Sequence, residues 1–263
     1  MTGDTSWLDS MPQTYDQCLR TAVFGPYAEH VAARLRELAP DTLLEIAAGT
    51  GIVTRELVNA LPNAAIIATD LNPAMVAHGA QQVPGAEWRV ADAQVLPFSD
   101  GQFAALVCQF GVMFFPDRPA AFAEAARVLQ PGGTFVFTTW DRIEYSELSA
   151  QIEAAVARLL PERPPDFLSR IPHGYADPDQ VRRDVAGSGL EITAFDRVVL
   201  RGSAESVAAM TRGFCLGSPL RFQIAALGDP AEIAERAAAE LTDRYGTGPV
   251  DGSMAAFVVT ART

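Results

Sequence analysis

Leu43-Leu44-Glu45-Ile46 runs straight into Ala47-Ala48-Gly49-Thr50-Gly51 and then into Ile52-Val53-Thr54-Arg55-Glu56-Leu57-Val58, and this stretch narrows most what the chain can become. A short apolar run, a turn of small residues and a run with helical spacing predict a strand, a tight loop and a helix. Small side chains leave the loop amides uncovered, and glycine reaches the positive φ that such a turn needs. A ligand can lie against that backbone. Nucleotide and dinucleotide folds share the shape, however, and some such turns only let a helix pack closely on its strand.

Four further apolar runs follow. Ala65-Ile66-Ile67-Ala68-Thr69 closes on Asp70, and Glu87-Trp88-Arg89-Val90-Ala91 closes on Asp92 with Ala93 after it. An acid at such a strand end is placed to accept hydrogen bonds from a ribose diol. Ala104 to Phe110 and Gly133 to Thr139 supply the fourth and fifth runs. The expected order is strand 42–47, helix 51–61, strand 64–69, helix 73–81, strand 86–91, strand 103–110, helix 118–129 and strand 133–139. This alternation predicts an α/β fold, a doubly wound and mostly parallel sheet with helices on both faces. Pro116-Asp117 and Pro131-Gly132-Gly133 bound the helix over 118–129, whose buried stripe is expected to be Phe122, Ala125, Ala126 and Leu129.

The flanks are less regular. Residues 1–11 read as a terminus with Trp7 tacked onto the body, and 12–38 as two helical stretches broken at Pro26, with Val31, Leu35 and Leu38 on one face. Beyond Trp140 a helix over 146–160 precedes the proline-broken stretch 161–168 and Ile171-Pro172-His173-Gly174-Tyr175, which reads as a lid. A helix from Asp177, a sixth strand over 190–200, helices over 203–214, 219–227 and 230–245, and a seventh strand over 254–261 complete the chain. The parts expected are an N-terminal helical cap (1–40), a core (41–140), a lid or acceptor region (141–189) and a C-terminal part (190–263) finishing the same sheet.

Composition removes several chemistries. All 20 basic residues are arginine, which excludes a Schiff-base lysine and the lysine of a phosphate-binding P-loop. A net charge of −12 without a basic run argues against a nucleic-acid groove and for a small-molecule partner. His30, His78 and His173 are scattered, so no metal site is expected. Cys18, Cys108 and Cys215 lie far apart, as in a reducing cytoplasm, and Cys108 in its apolar strand reads as core. No window approaches the ~20 apolar residues of a membrane span, and Met1 to Ser10 lacks the blocks of a signal peptide.

Leu44-Glu45-Ile46-Ala47-Ala48-Gly49-Thr50-Gly51, Asp70-Leu71-Asn72-Pro73-Ala74-Met75, Ala91-Asp92-Ala93 with Leu96-Pro97-Phe98, and Glu124 to Gly133 resemble, in order and spacing, class I S-adenosylmethionine-dependent methyltransferases. The branch resembled includes the ubiquinone and menaquinone biosynthesis methyltransferases. The match covers 42–140 well and departs at Ala47, where the family's pattern often has glycine. The resemblance implies S-adenosyl-L-methionine as cofactor, a Rossmann-like seven-stranded sheet, and a last strand inserted antiparallel between the fifth and sixth. It implies that Ala47, Gly49 and Gly51 hold the methionine end, Asp70 the ribose, Leu71 an adenine face, and Asp92 with the Ala93 amide the adenine edge. Glu45, Met75, Gln109 and Phe110 complete the implied cofactor set, and Gln109 could instead only satisfy loop backbone.

Methyl transfer from a sulfonium asks mainly for alignment and exclusion of water, with a base where the acceptor is protonated. His173, Gln109 and Tyr15 are the catalytic candidates. His173 is the candidate base because imidazole titrates near neutrality, against the plainer reading of a solvated loop histidine. Tyr15, in a Tyr15-Asp16 pair like one that opens the N-terminal segment of related enzymes, is a pocket residue or a packing aromatic. Phe110, Met113, Phe114 and Phe115, with Trp140, Tyr145, Phe167 and Tyr175, hint at an apolar or aromatic acceptor methylated on O, C or N. A nicotinamide-dependent oxidoreductase and a non-catalytic cofactor-binding scaffold are the alternatives, and a homodimer is compatible with the sequence.

Overall fold

A computed structural model describes residues 11–263, so the expected anchoring by Trp7 lies outside the described residues. In chain order the elements are α1 (Met11–Leu19), a π-turn (Arg20–Phe24), α2 (Gly25–Leu38), β1 (Thr42–Ile46), α3 (Ile52–Ala60), β2 (Ala65–Asp70), α4 (Pro73–Gln82), β3 (Glu87–Val90), β4 (Phe103–Gln109), α5 (Arg118–Val128) and β5 (Leu129–Trp140). There follow α6 (Glu147–Leu159), α7 (Phe167–Arg170), α8 (Pro178–Val185), β6 (Glu191–Ala204), α9 (Val207–Gly217), α10 (Leu220–Ala225), α11 (Pro230–Tyr245) and β7 (Val250–Arg262). The described residues fold into two compact units, one of residues 27–140, 175–198 and 256–263, the other of residues 11–26, 141–174 and 199–255.

The sheet has seven strands in the order β3-β2-β1-β4-β5-β7-β6. β1 lies parallel between β2 and β4, with Leu44 opposite Ile67 on one side and Leu106 on the other. Strand order reverses at β1, so the crevice beyond the carboxyl ends of β1 and β4 is where an open α/β sheet takes its ligand. β7 runs antiparallel to β5 and stands between β5 and β6, as the resemblance implies. Leu43, Leu44, Leu106, Val107, Phe135, Val136 and Phe137 are fully buried, each worth about 2 kcal/mol of transfer free energy. That continuous burial is why these runs lack strand alternation.

Helix starts repeat one device. Asn72, Asp117, Asp177 and Asp229 each accept a backbone N–H from the first turn, with proline at its first or second position. The side chain satisfies an orphan donor and the ring presets φ. Four expectations need correction. Pro26 does not break a helix: it lies inside α2, and the disturbance comes earlier, as the π-turn in which the Gly25 N–H reaches the Arg20 carbonyl. Leu38 ends α2 exposed, while Val31 and Leu35 are buried. The buried stripe of α5 is Ala121, Phe122, Ala125 and Val128; Ala126 is half-buried, and Leu129 already belongs to β5. Both β6 and β7 begin or end several residues beyond the expected limits, because their extra residues join the second unit.

That second unit is mainly helical. α1 and α9 approach closely at Gly213 and Gly217, where a Cβ would lie 2.7 Å from that of Cys18 and 2.9 Å from the Tyr15 nitrogen. α11 turns Ile233, Ala234, Ala237, Ala238 and Leu241 inward, the small-residue face its composition provides. Among the described residues, no helix is long and apolar enough to cross a membrane.

Candidate cofactor and active site

The loop after β1 is built from three left-handed residues, Ala47 (φ 54°), Gly49 (φ 58°) and Gly51 (φ 87°). Its two glycines do different work. A Cβ on Gly49 would meet nothing within 4 Å, so its backbone is open, whereas one on Gly51 would lie 3.0 Å from the Trp88 ring. Gly51 therefore lets α3 start against a packed tryptophan, and Gly49 leaves room for a ligand. Ala47, a strained non-glycine residue, faces Gly111, where a Cβ would come within 2.6 Å of the Ala47 methyl. The loops after β1 and β4 thus close on one another through two small residues.

Asp70, at the end of β2, clasps this loop. Its Oδ2 accepts from the Gly49 amide and its Oδ1 from the Asn72 amide, each at 2.8 Å. Burial raises its pKa, and the same two amides oppose the rise. A carboxylate has about four acceptor positions, so two remain for a ligand. Glu45, 1% exposed in β1, takes the Thr54 hydroxyl on Oε2 at 2.7 Å. Burial pushes its carboxyl up to about 8, the Thr54 bond opposing and nearby Asp70 adding to the rise. Burial likewise raises the Cys108 thiol, leaving it protonated in the core as expected of it.

Leu71 follows Asp70 with 58% of its surface exposed, a bare apolar face at the strand end. Met75 is instead buried in α4. Asp92 spends Oδ1 on the Gln94 amide at 2.8 Å and closes a turn through a bridge with Val95. Ala93 sits half-buried in that turn. The loop is fixed from α5, where Glu124 accepts from the Leu96 amide and the Arg127 guanidinium donates to the Leu96 and Phe98 carbonyls. Gln109 ends β4 half-buried opposite Thr138, and Phe110 after it takes φ 55°, its amide donating to the Thr138 hydroxyl. Phe110 stacks on Trp140 with centroids 3.7 Å apart, and Tyr27 meets both edge-on. These rings are buried core, while Phe114 stands exposed.

Tyr15 and His173 belong to the other unit. Tyr15 stacks on Phe24 at 4.9 Å, a packing contact. His173 is not a solvated loop residue: it is 7% exposed, and its Nδ1 lies 2.6 Å from the Asp141 carbonyl oxygen. Burial lowers its pKa to about 4, against the upward pull of Asp141. Sequence reasoning passed over Thr54, Asn72, Trp88 and Gly111. Gly79, in the middle of α4, was a signal for Trp88, since a Cβ there would lie 2.2 Å from the ring. Asn72 announced itself as the cap before Pro73, whereas Thr54 and Gly111 meet Glu45 and Ala47 through contacts between elements that no local pattern reports.

The donor set suits an adenosyl cofactor: an open Gly49 backbone, a clasped carboxylate with acceptor positions to spare, an exposed Leu71, and a buried Asn72 amide nitrogen that has no acceptor among the described residues. Residues 44–137 match the family model described as a methyltransferase domain. Over 230 residues the chain is 30% identical to the ubiquinone/menaquinone biosynthesis C-methyltransferase UbiE of Caulobacter sp., covering 79% of this chain and 90% of that one. The YcgJ protein of Bacillus subtilis has a similar fold (TM-score 0.55, 18% identity, 89% of this chain and 98% of that one). So does a geranyl diphosphate methyltransferase solved with S-adenosylmethionine (TM-score 0.51, 19% identity, 89% and 85%).

Switch-point loop, acid-terminated second strand and antiparallel seventh strand thus define, with these likenesses, a class I methyltransferase whose cofactor is S-adenosylmethionine. Within that class the chain belongs to the family of the ubiquinone/menaquinone C-methyltransferases. Membership sets aside the nicotinamide and the non-catalytic readings.

The His173 environment has a measurable consequence. Its imidazole titrates near 6.5 when unfolded and near 4 in place, so above about 6.5 neither state takes the proton. As pH falls below that, the unfolded chain is protonated and the folded one is not, and stability is lost down to about 4. Between pH 7 and 5 wild type should lose about 2 kcal/mol more than His173→Gln in denaturant titrations. Parallel losses in the two proteins would contradict the buried neutral imidazole.

Proposed function

We propose that the protein transfers a methyl group from S-adenosylmethionine to an oxygen, carbon or nitrogen atom of an apolar or aromatic small molecule. Asp70 carries the reading, as a carboxylate fixed by two amides at the switch point beside the open Gly49 backbone. In this assignment its remaining acceptor positions take the ribose hydroxyls, and Ala47, Gly49 and Gly51 border the methionine end. Leu71 covers one adenine face, and the Ala93 amide and Asp92 read the adenine edge. The bound cofactor supplies a methyl group already activated on a sulfonium.

An apolar acceptor is supported by the exposed side chains near the carboxyl end of the sheet, Val90, Val95 and Phe114, and by the quinone-pathway name of the Caulobacter relative. We assign Gln109 to orienting the acceptor or the cofactor, and residues 141–189 to acceptor recognition. Alignment and exclusion of water then carry the rate. His173, buried and held neutral to about pH 4, is assigned to fixing its segment through Asp141 rather than to taking a proton; Tyr15 is assigned to packing against Phe24.

S-adenosylhomocysteine should raise the melting temperature of the protein and NAD should not, since only a ligand of the folded state stabilises it by mass action. Asp70→Ala should weaken cofactor binding by roughly 1.5 to 3 kcal/mol, the range for hydrogen bonds to a charged group. Calorimetric affinity within twofold of wild type would leave Asp70 as a loop clasp alone. For His173→Ala, single-turnover rates at saturating acceptor should stay near wild type while acceptor binding weakens. A drop of about a hundredfold with loss of a pH limb would instead make it the general base.

A further inference from the structure

Beside α7 the helical unit holds an open cavity of about 360 Å³, above the roughly 300 Å³ at which ligand pockets begin. Its lining mixes cation and hydrocarbon: Arg163 and Arg170 bring guanidinium groups, and Pro164, Pro165, Ala226 and Leu227 an apolar wall. Hydrogen bonds between α7 and α10 fix the frame. Gln223 Oε1 accepts from the Asp166 and Phe167 amides, each at 3.0 Å, and its Nε2 donates to Asp166 Oδ1 at 2.9 Å. Glu153 takes the next two amides, those of Leu168 and Ser169. The start of α7 therefore has no donor left for a ligand, and recognition falls to the side chains.

The two arginines differ in what they have to give. Arg170 spends Nε on Asp166 Oδ1 at 3.2 Å, which leaves its terminal nitrogens. The Arg163 guanidinium is exposed and bonded to no other described residue. Its backbone is stiff before any ligand arrives, because Pro164 and Pro165 fix their own φ and keep Arg163 out of the helical region. Such preorganisation lowers the cost of binding. Gln223 and Arg170 hold the Asp166 carboxyl below its ordinary range, so the lining carries two positive charges and one negative, in a chain whose net charge is −12. One net positive charge matches a monoanion, whereas a phosphate dianion would also face the Asp166 carboxylate. A guanidinium fork fits a planar carboxylate with two parallel hydrogen bonds.

We propose that this cavity binds a small monocarboxylate with an apolar tail, its carboxylate paired with Arg163 and Arg170 and its tail laid against Leu227, Ala226 and the two prolines. Every lining residue belongs to the helical unit and none to the cofactor set, so the assignment stands apart from the cofactor reading.

Titration calorimetry of the full chain at low ionic strength tests it, with octanoate as the probe and octanol, octylammonium and inorganic phosphate as controls. Octanoate should bind at one site and each control at least about tenfold more weakly, the size of a charge-assisted hydrogen bond. Arg163→Gln should weaken octanoate by a similar factor, and Leu227→Ser severalfold through lost apolar contact. Both side chains are exposed, so neither change threatens the fold. Octanoate binding no tighter than any control, or unchanged in either variant, overturns the proposal.

Discussion

The Asp70 carboxylate is the clasp on which the site depends. One oxygen takes the Gly49 amide and the other the Asn72 amide, so a single side chain joins the loop after β1 to the turn after β2. The strained φ of Ala47 and the open backbone of Gly49 persist because that clasp, the Ala48 amide bonded to the Thr69 carbonyl, and the packing of Gly111 against Ala47 together over-determine the loop. The sheet supplies the rest. Reversal of strand order at β1 leaves the crevice above it open, and burial of β1, β4 and β5 makes its floor rigid.

Burial also sets the chemistry of the acids there. A carboxyl moved out of water must find donors or take a proton: burial raises both Asp70 and Glu45, opposed at Asp70 by two amides and at Glu45 by the Thr54 hydroxyl. His173 shows the same physics from the basic side, where burial beside the Asp141 carbonyl removes the proton.

Much of this was legible in the sequence because it is local. The apolar runs of β1 to β5, the capped proline starts of several helices and the acids Asp70 and Asp92 after the second and third runs are patterns of a few adjacent residues, and the sheet follows from their alternation. What depends on distant partners was not. Nothing local separates Gly49, open, from Gly51, wedged against Trp88; nothing marks Phe110 and Trp140 as stacked core rather than pocket wall, or His173 as buried against the Asp141 carbonyl. The π-turn before α2 was read as a proline break because Pro26 is visible in the sequence and the five-residue ring closed by Gly25 is not. The assembly of the helical unit from residues 11–26, 141–174 and 199–255 likewise comes from long-range packing, which contiguous segments conceal.

A crystal structure with bound S-adenosylhomocysteine tests the central claim most directly. The account predicts both ribose hydroxyls on the Asp70 carboxylate, the Gly49 backbone against the homocysteine chain, and Leu71 against the adenine, with the clasp to Gly49 and Asn72 intact. A ligand bound away from the end of β2, or an Asp70 that only ties the loop while another group holds the ribose, would contradict it.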